Sequence, residues 1–416
     1  MATTPKLVEQ PLPPTPNPKP GPLTPEQAKI IKSTVPVLAE HGVPITRNFY
    51  NNMLTAHPSL RRVFNHSSQA NSHQPLALAA ALYAYADNIS DLGALGPAVA
   101  VICNKHASLD IQPAQYAIVG KYLLESMSTI LGDAVTPEIH DAWAAAYWQL
   151  ADIMIDAEAK LYGTAGKWKG WRDFRIARKV RESRDVTSFY LEPVDGEPLP
   201  SFHPGQYISV EMDVPALGYR QSRQYSLSDA PRREHFRISV KREDGVPDVQ
   251  SPEAARHPAY VSNVLHDTKN EGDVVGVTHP FGEFFVDPTL ETDAPLVLLG
   301  AGVGLTPLLS ILNTLVERGT KRKISWIHTA RNSEVRAFEQ HVRGVGEKND
   351  NVKTRILEGH LDLDRLDKEE DLFVEDNKTE YFICGPLAFM EGMKEKLQSY
   401  GAGADRIHLE RFGVAS

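Results

Sequence analysis

The sequence predicts three fold classes in series: an all-α segment, a β-rich segment, and an α/β segment with a parallel sheet. Three observations carry this. From Thr24 to about Tyr162 apolar residues follow a helical period with no strand alternation. From Arg172 to about Val286 short alternating runs stand between turn residues. Beyond Pro295 strand and helix patterns alternate. At 416 residues, and roughly 150 residues per domain, the chain has room for two or three domains.

The first 25 residues contain nine prolines, which favour extended backbone and bury little. Residues 1–22 are expected to form a flexible tail. Order begins at Thr24-Pro25-Glu26-Gln27, a capping box with proline at the first helical position. Ile30, Ile31, Val35 and Leu38 share one helix face, and Gly42 is expected to end that helix. Further helices are expected at 45–56, 58–64, 71–92, 97–108, 113–132 and 136–162.

Gly163 to Gly166 mark a change of character. Strands are then expected at 174–180, 186–193, 206–214, 224–228, 236–241 and 273–278, the pattern of a barrel or a sandwich. Asp244–Ala259, with four prolines or glycines, is expected to be a surface loop. In the last third, strands are expected at 296–299, 324–328, 352–357 and 381–384, and helices at 308–316, 335–343 and 388–398. The expected units are 23–163, 170–287 and 293–416.

Composition narrows the function. A net charge of −9 disfavours binding to a phosphate backbone, which needs clustered Lys and Arg. The only cysteines, Cys103 and Cys384, lie too far apart in sequence to suggest a disulfide framework or a zinc ribbon, and a reducing compartment is expected. Residues Ala294 to Val316 carry no charge and are long enough to cross a bilayer. Pro295, Gly300, Gly302, Gly304 and Pro307 interrupt them, so they read as strand, glycine turn and helix. The N-terminus shows no secretory apolar core and no Arg before Arg47. No membrane span is expected, and the location expected is cytoplasmic.

Three sets of residues carry chemistry. In the helical segment, Gln74 and Leu78 lie one turn apart, and His106 follows on a separate helix. In the β segment, Arg223-Gln224-Tyr225-Ser226 follows His203-Pro204-Gly205-Gln206-Tyr207 and precedes Val261-Ser262-Asn263. A fork-shaped guanidinium such as Arg223 suits phosphate oxygens. In the α/β segment, Gly300-Ala301-Gly302-Val303-Gly304-Leu305-Thr306-Pro307 follows a buried strand and opens a helix, the context in which backbone amides cradle a phosphate. Cys384-Gly385-Pro386 closes a later strand; the bland reading of Cys384 is a small core residue.

The helical segment resembles the globin domain of flavohaemoglobins, through Asn48-Phe49-Tyr50, Val63-Phe64-Asn65, Gln74 with Leu78, Asn104-Lys105-His106 and Gln115 to Gly120. The resemblance implies that His106 is the proximal ligand of haem iron and that Phe64 packs on the porphyrin. It implies that Tyr50, Gln74 and Leu78 face bound oxygen, and that Tyr116 and Glu158 hydrogen-bond with the proximal histidine. Lys105 is expected to support the haem or the flavin contact. The β and α/β segments resemble the ferredoxin–NADP reductase superfamily, which implies an antiparallel β-barrel FAD domain and an α/β NAD(P) domain, with the Gly300–Pro307 turn and Cys384-Gly385-Pro386 at the nicotinamide nucleotide. In that family the R-x-Y-S arginine meets the pyrophosphate, the tyrosine packs on the flavin and the serine reaches it. Tyr207, Gln224, Val261 and Ser262 are expected to join them.

The ending Leu409-Glu410-Arg411-Phe412-Gly413 resembles that of flavohaemoglobins, where the phenylalanine covers the flavin and the glutamate tunes the region between flavin and haem. Arg411 and Val414 stand where that ending often has Cys and Pro. The resemblance as a whole implies haem b, FAD and NAD(P)H, and the activity of a nitric oxide dioxygenase that turns NO and O2 into nitrate, as a monomer. An NAD(P)H-dependent oxidase or reductase for other oxidants, and an oxygen or redox sensor, are the competing readings.

Overall fold

The computed structural model describes residues 10–13, 21–64, 72–247, 256–257 and 259–412. Among the described residues six α-helices come first: α1 (Pro25–Ser33), α2 (Val35–Ala56), α3 (His73–Asp87), α4 (Gly96–Ser108), α5 (Pro113–Leu131) and α6 (Pro137–Thr164). A 3-10 turn, Pro58–Arg62, follows α2. The capping box at Thr24 forms as expected, with Gln27 N–H donating to the Thr24 hydroxyl and Thr24 N–H donating to the Gln27 amide oxygen.

Gly42 does not end a helix. The first helix stops earlier, at Ser33, and α2 restarts with Pro36 in its first turn and runs through Gly42 and Pro44. A Cβ at Gly42 would stand 3.2 Å from the Ala79 Cβ of α3. The glycine is there so that two helices can approach closely. Around that contact Ile45, Phe49, Met53, Tyr85, Tyr122 and Trp143 form the helical core. Part of the proline-rich tail is also tied down: Gln10 N–H donates to the Ala56 carbonyl at 3.1 Å, and the Tyr122 hydroxyl donates to the Gln10 side chain at 3.1 Å. Residues 1–9 and 14–20 of the expected tail lie outside the described residues.

The β segment forms one six-stranded antiparallel sheet from β1 (Arg172–Arg181), β2 (Val186–Pro193), β3 (Tyr207–Val214), β4 (Tyr219–Ser226), β5 (Phe236–Lys241) and β8 (Val274–Val277), in the order β4-β3-β8-β1-β2-β5. A bridge between Leu227 and Ile238 joins the edge strands and closes the sheet into a barrel. Phe174, Phe189, Ile208, Val210, Phe236 and Ile238 fill it. The expected strand at 224–228 is the second half of β4, which begins at Tyr219 and pairs with β3 from Val214 onward. Within the expected surface loop, β6 (Val246–Pro247) pairs with β7 (Arg256–His257); residues 248–255 and 258 lie outside the described residues. A short helix, α7 (Tyr260–Asp267), escaped the sequence reading because eight residues give too little period.

The last segment is a parallel sheet in the order β11-β10-β9-β12-β13, from β9 (Leu296–Ala301), β10 (Ile324–Ala330), β11 (Val352–Glu358), β12 (Glu380–Cys384) and β13 (Ile407–Glu410). Helix α8 (Leu305–Glu317) packs with Leu296, Leu298 and Trp326 on one face. Helix α10 (Leu387–Ser399) packs with Val297, Leu299 and Ile383 on the other. The uncharged stretch at 294–316 is therefore strand, turn and buried helix, and no described helix is long and apolar enough to cross a membrane. The expected helix at 335–343 is split into a 3-10 turn, Ser333–Val335, and α9 (Glu339–Lys348), because Phe338 adopts a left-handed φ of 60°.

Candidate functional site

Three helices converge on His106. It lies in the last turn of α4, with one third of its side chain exposed. Its Nδ1 is 2.8 Å from Glu158 Oε1 on α6 and 3.1 Å from the Tyr116 hydroxyl on α5. Tyr116 in turn donates to the same Glu158 oxygen at 2.6 Å. The buried carboxylate fixes the ring proton on Nδ1 and leaves Nε2 as the nitrogen with a lone pair. Burial, reinforced by the bond to Glu158, raises the Tyr116 hydroxyl far above its ordinary value and keeps it a donor.

The residues expected opposite His106 lie on the first helices. Tyr50 on α2 is buried, which raises its hydroxyl well above 10. Its ring meets Phe64 edge-on at 5.4 Å. Phe64 and Leu78 pack against the same core as Tyr50, and Gln74 stands one turn before Leu78 on α3.

A second focus is a cavity of about 260 Å³ between the barrel, the parallel sheet and α4. Strands β3 and β4 supply Tyr207, Arg223, Gln224, Tyr225 and Ser226; α7 supplies Val261 and Ser262; the C-terminus supplies Glu410 and Phe412. All nine residues expected at the flavin thus meet at one place. Lys105, the neighbour of His106, lines it as well. The Tyr225 hydroxyl is buried with no hydrogen-bond partner among the described residues, and burial raises it. Burial lowers Arg223 to about 10, so an anion beside this guanidinium would be welcome. An orphaned buried phenol, a phosphate-sized cation and an aromatic wall fit a bound flavin.

Charge is concentrated where the three segments meet. Burial pushes Glu410 up to about 8, opposed by Lys105 and reinforced by Glu283. Burial likewise pushes Glu283 up to about 6, opposed by a bond to its own backbone N–H and one to Asn104. Burial lowers Lys105, against the pull of Glu410 and Glu283.

The glycine turn between β9 and α8 packs directly on the Cys384-Gly385-Pro386 corner. A Cβ at Gly304 would lie 2.3 Å from the Cys384 carbonyl oxygen, so only glycine permits that approach. Gly302 carries a left-handed φ of 56°. His328, on neighbouring β10, braces the turn with its Nε2 3.0 Å from the Gly302 carbonyl. Gly300 ends inside β9, Leu305 begins α8, Pro307 sits in its first turn and Pro386 precedes α10. Val303 and Thr306, expected at the nicotinamide, also line the flavin cavity, so the two expected sites are contiguous. Cys384 is wholly buried in the core, and burial raises its thiol well above the ordinary value.

Sequence reasoning missed several residues. Ser239, Lys241, Glu243, Ala259 and Arg411 also line the cavity, while Asn104, Ser108 and Glu283 join α4 to the barrel. Ser239 and Lys241 share a face of β5 by the two-residue period, but only the closure of the barrel shows that this face looks at β4. Gln224, expected at the flavin, sends its amide nitrogen to the Ser108 hydroxyl at 2.7 Å.

Comparison with known proteins agrees with this arrangement. The globin family pattern matches residues 47–154, and that of the oxidoreductase NAD-binding domain matches residues 298–395. A protein of Bordetella parapertussis named flavohemoprotein is 43% identical over 413 residues, covering 94% of this chain and 99% of its own. The flavohemoprotein of Rhizobium meliloti is 43% identical over 408 residues, covering 94% and 98%. Among solved structures, the flavohemoglobin of Malassezia yamatoensis with bound FAD and heme superimposes with a TM-score of 0.81 at 28% identity, over 94% of this chain and all of that one. The FAD/NAD binding domain of the nitric oxide dioxygenase of Vibrio cholerae superimposes with a TM-score of 0.51 at 33% identity, over 58% of this chain and 98% of that one. The chain belongs to the flavohemoprotein family.

Proposed function

We propose that the protein is an NAD(P)H-dependent nitric oxide dioxygenase that consumes NO and O2 and releases nitrate. One observation carries the reading: Lys105, adjacent to the imidazole held by Glu158 and Tyr116, lines the cavity built from the Arg223–Ser226 motif. The residue beside the expected haem ligand therefore forms part of the wall of the expected flavin site. The Vibrio cholerae domain named above supports the choice of activity.

When bound, NAD(P)H would supply two electrons, FAD would divide them into single electrons and haem b would use one for each conversion of NO and O2 to nitrate. The chain's own residues do the rest. His106 offers Nε2 to the iron, and Glu158, accepting the Nδ1 proton, makes the ring a stronger electron donor. Tyr116 holds that carboxylate in place. Tyr50 and Gln74 would serve as donors for developing negative charge, Leu78 would narrow access and Phe64 would pack against the haem. Arg223 binds phosphate, Tyr225, Tyr207 and Phe412 cover the flavin ring, and Ser226 donates to it. Glu410, pushed up by burial to about 8, holds a proton beside it at neutral pH, with Lys105 and Glu283 as its charged neighbours. Gln224, Val261 and Ser262 complete the flavin wall. Gly300 to Pro307 and Cys384 to Pro386 bind the nicotinamide nucleotide, with α8 amides facing its phosphates.

This reading divides the chain into a haem domain at 23–163, a flavin domain at 170–287 and a nicotinamide domain at 293–416. It places the monomer in the cytoplasm, consistent with two free, buried cysteines. The test is stoichiometry. With NADH and oxygen present, nitrate is expected to form mole for mole with NO consumed. NO that is bound without yielding nitrate refutes the reading.

A further inference from the structure

Strand β4 carries more than the flavin motif. Just before it, Gln221 is wholly buried and points toward the helical segment. Its amide nitrogen donates to the Arg61 carbonyl and, at 3.0 Å, to the Phe64 carbonyl. Its Oε1 accepts from the Arg223 guanidinium at 3.1 Å. Ser222 adds a bond from its hydroxyl to the Arg62 carbonyl at 3.1 Å.

Resting on the haem and flavin assignment above, we propose that Gln221 is a positioning residue that couples the flavin-phosphate arginine to the haem-side turn ending at Phe64. One planar amide faces both ways. Its donor end holds backbone carbonyls of the segment that carries Phe64, and its acceptor end orients Arg223. A phosphate drawn to Arg223 pulls on this guanidinium and, through the amide, on the carbonyls that the amide holds. The two ends are separable by chemistry: a glutamate keeps the acceptor for Arg223 and loses the donors, whereas a leucine loses both. Buried bonds of this kind transmit because unsatisfied alternatives are costly in a dry site.

The experiment compares the full chain, loaded with haem and FAD, as wild type, Gln221→Glu and Gln221→Leu. Haem and flavin absorption bands are recorded first; their absence from the wild type would refute the functional reading rather than this one. The readouts are the infrared stretch of CO bound to the reduced protein, deuterium exchange over residues 58–64, and FAD dissociation. Both variants are expected to shift the CO band and to raise exchange over 58–64 by about fivefold or more. Only Gln221→Leu is expected to release FAD faster, again by about fivefold. An unmoved CO band in Gln221→Glu, or equally faster FAD loss in both variants, overturns the proposal. If neither variant folds, Ser222→Ala, which frees one carbonyl of the same turn, is expected to shift the CO band in the same direction with FAD retention unchanged; an unmoved band there overturns it too.

Discussion

Replacing Gly304 with alanine tests the contact between the two halves of the proposed nicotinamide site. The backbone at Gly304 has φ −60°, which any residue adopts, so the substitution acts by volume alone. The new Cβ would stand 2.3 Å from the Cys384 oxygen, 2.5 Å from its carbonyl carbon and 2.7 Å from the Gly385 nitrogen. Ordinary contact begins at 3.4 Å, so the turn and the Cys384 corner must separate by about 1.1 Å, and all three atoms are backbone with no rotamer to yield. Overpacking of this kind costs about 1–3 kcal/mol in stability. A misplacement near 1 Å costs roughly a hundredfold in a positioned reaction. In stopped-flow mixing with NADH, flavin bleaching is expected to slow by roughly that factor. Haem reduction by dithionite and the bound flavin spectrum are expected to stay as in the wild type. Flavin reduction by NADH at the wild-type rate would show that the Gly304 turn does not position the nucleotide.

Two further outcomes concern buried carboxyl groups. Glu158→Gln replaces the carboxylate that accepts from His106 with a weaker, neutral acceptor; a bond to a charged group is worth about 1.5–3 kcal/mol, so the one-electron potential of the haem is expected to rise by up to roughly 60–130 mV. A potentiometric titration followed at the haem bands checks this, and an unchanged or lower potential contradicts it. Burial raises Glu410 from 4.5 to about 8, so the folded protein keeps a proton that the unfolded chain releases near 4.5. That contribution is fully present below pH 4.5 and is lost as pH rises to about 8. Glu410→Gln is expected to flatten the fall in thermal stability across that window, and parallel pH profiles for the two proteins would contradict it.

The class of each segment was legible because its periodicity is strong: Ile31 and Leu38 are buried as a helical pattern requires, although on two successive helices, and the strands of the parallel sheet are apolar. Glycine was legible by position but not by purpose. Gly42 looked like a helix end and is a helix–helix contact, because a one-dimensional pattern cannot show that Ala79 lies opposite. Phe338 could not be read as a break, since its left-handed backbone is imposed by tertiary packing. The sites were legible where short motifs hold the chemistry on one element, as in Arg223 to Ser226. They were not legible where residues distant in sequence meet. Gln221 and Phe64, Gln224 and Ser108, and Glu283 and Asn104 are joined only by the docking of α4 and the Pro58–Arg62 turn onto the barrel. The docked Gln10 escaped for the same reason: a proline-rich composition favours extended backbone but does not forbid a specific contact.

The most direct measurement of the central claim is His106→Ala in the full chain, read by absorption and by NO consumption together. The flavin bands and NADH-driven reduction of ferricyanide are expected to persist, while the haem band and nitrate formation are lost. A variant that kept the haem band and converted NO to nitrate at the wild-type rate would contradict the account.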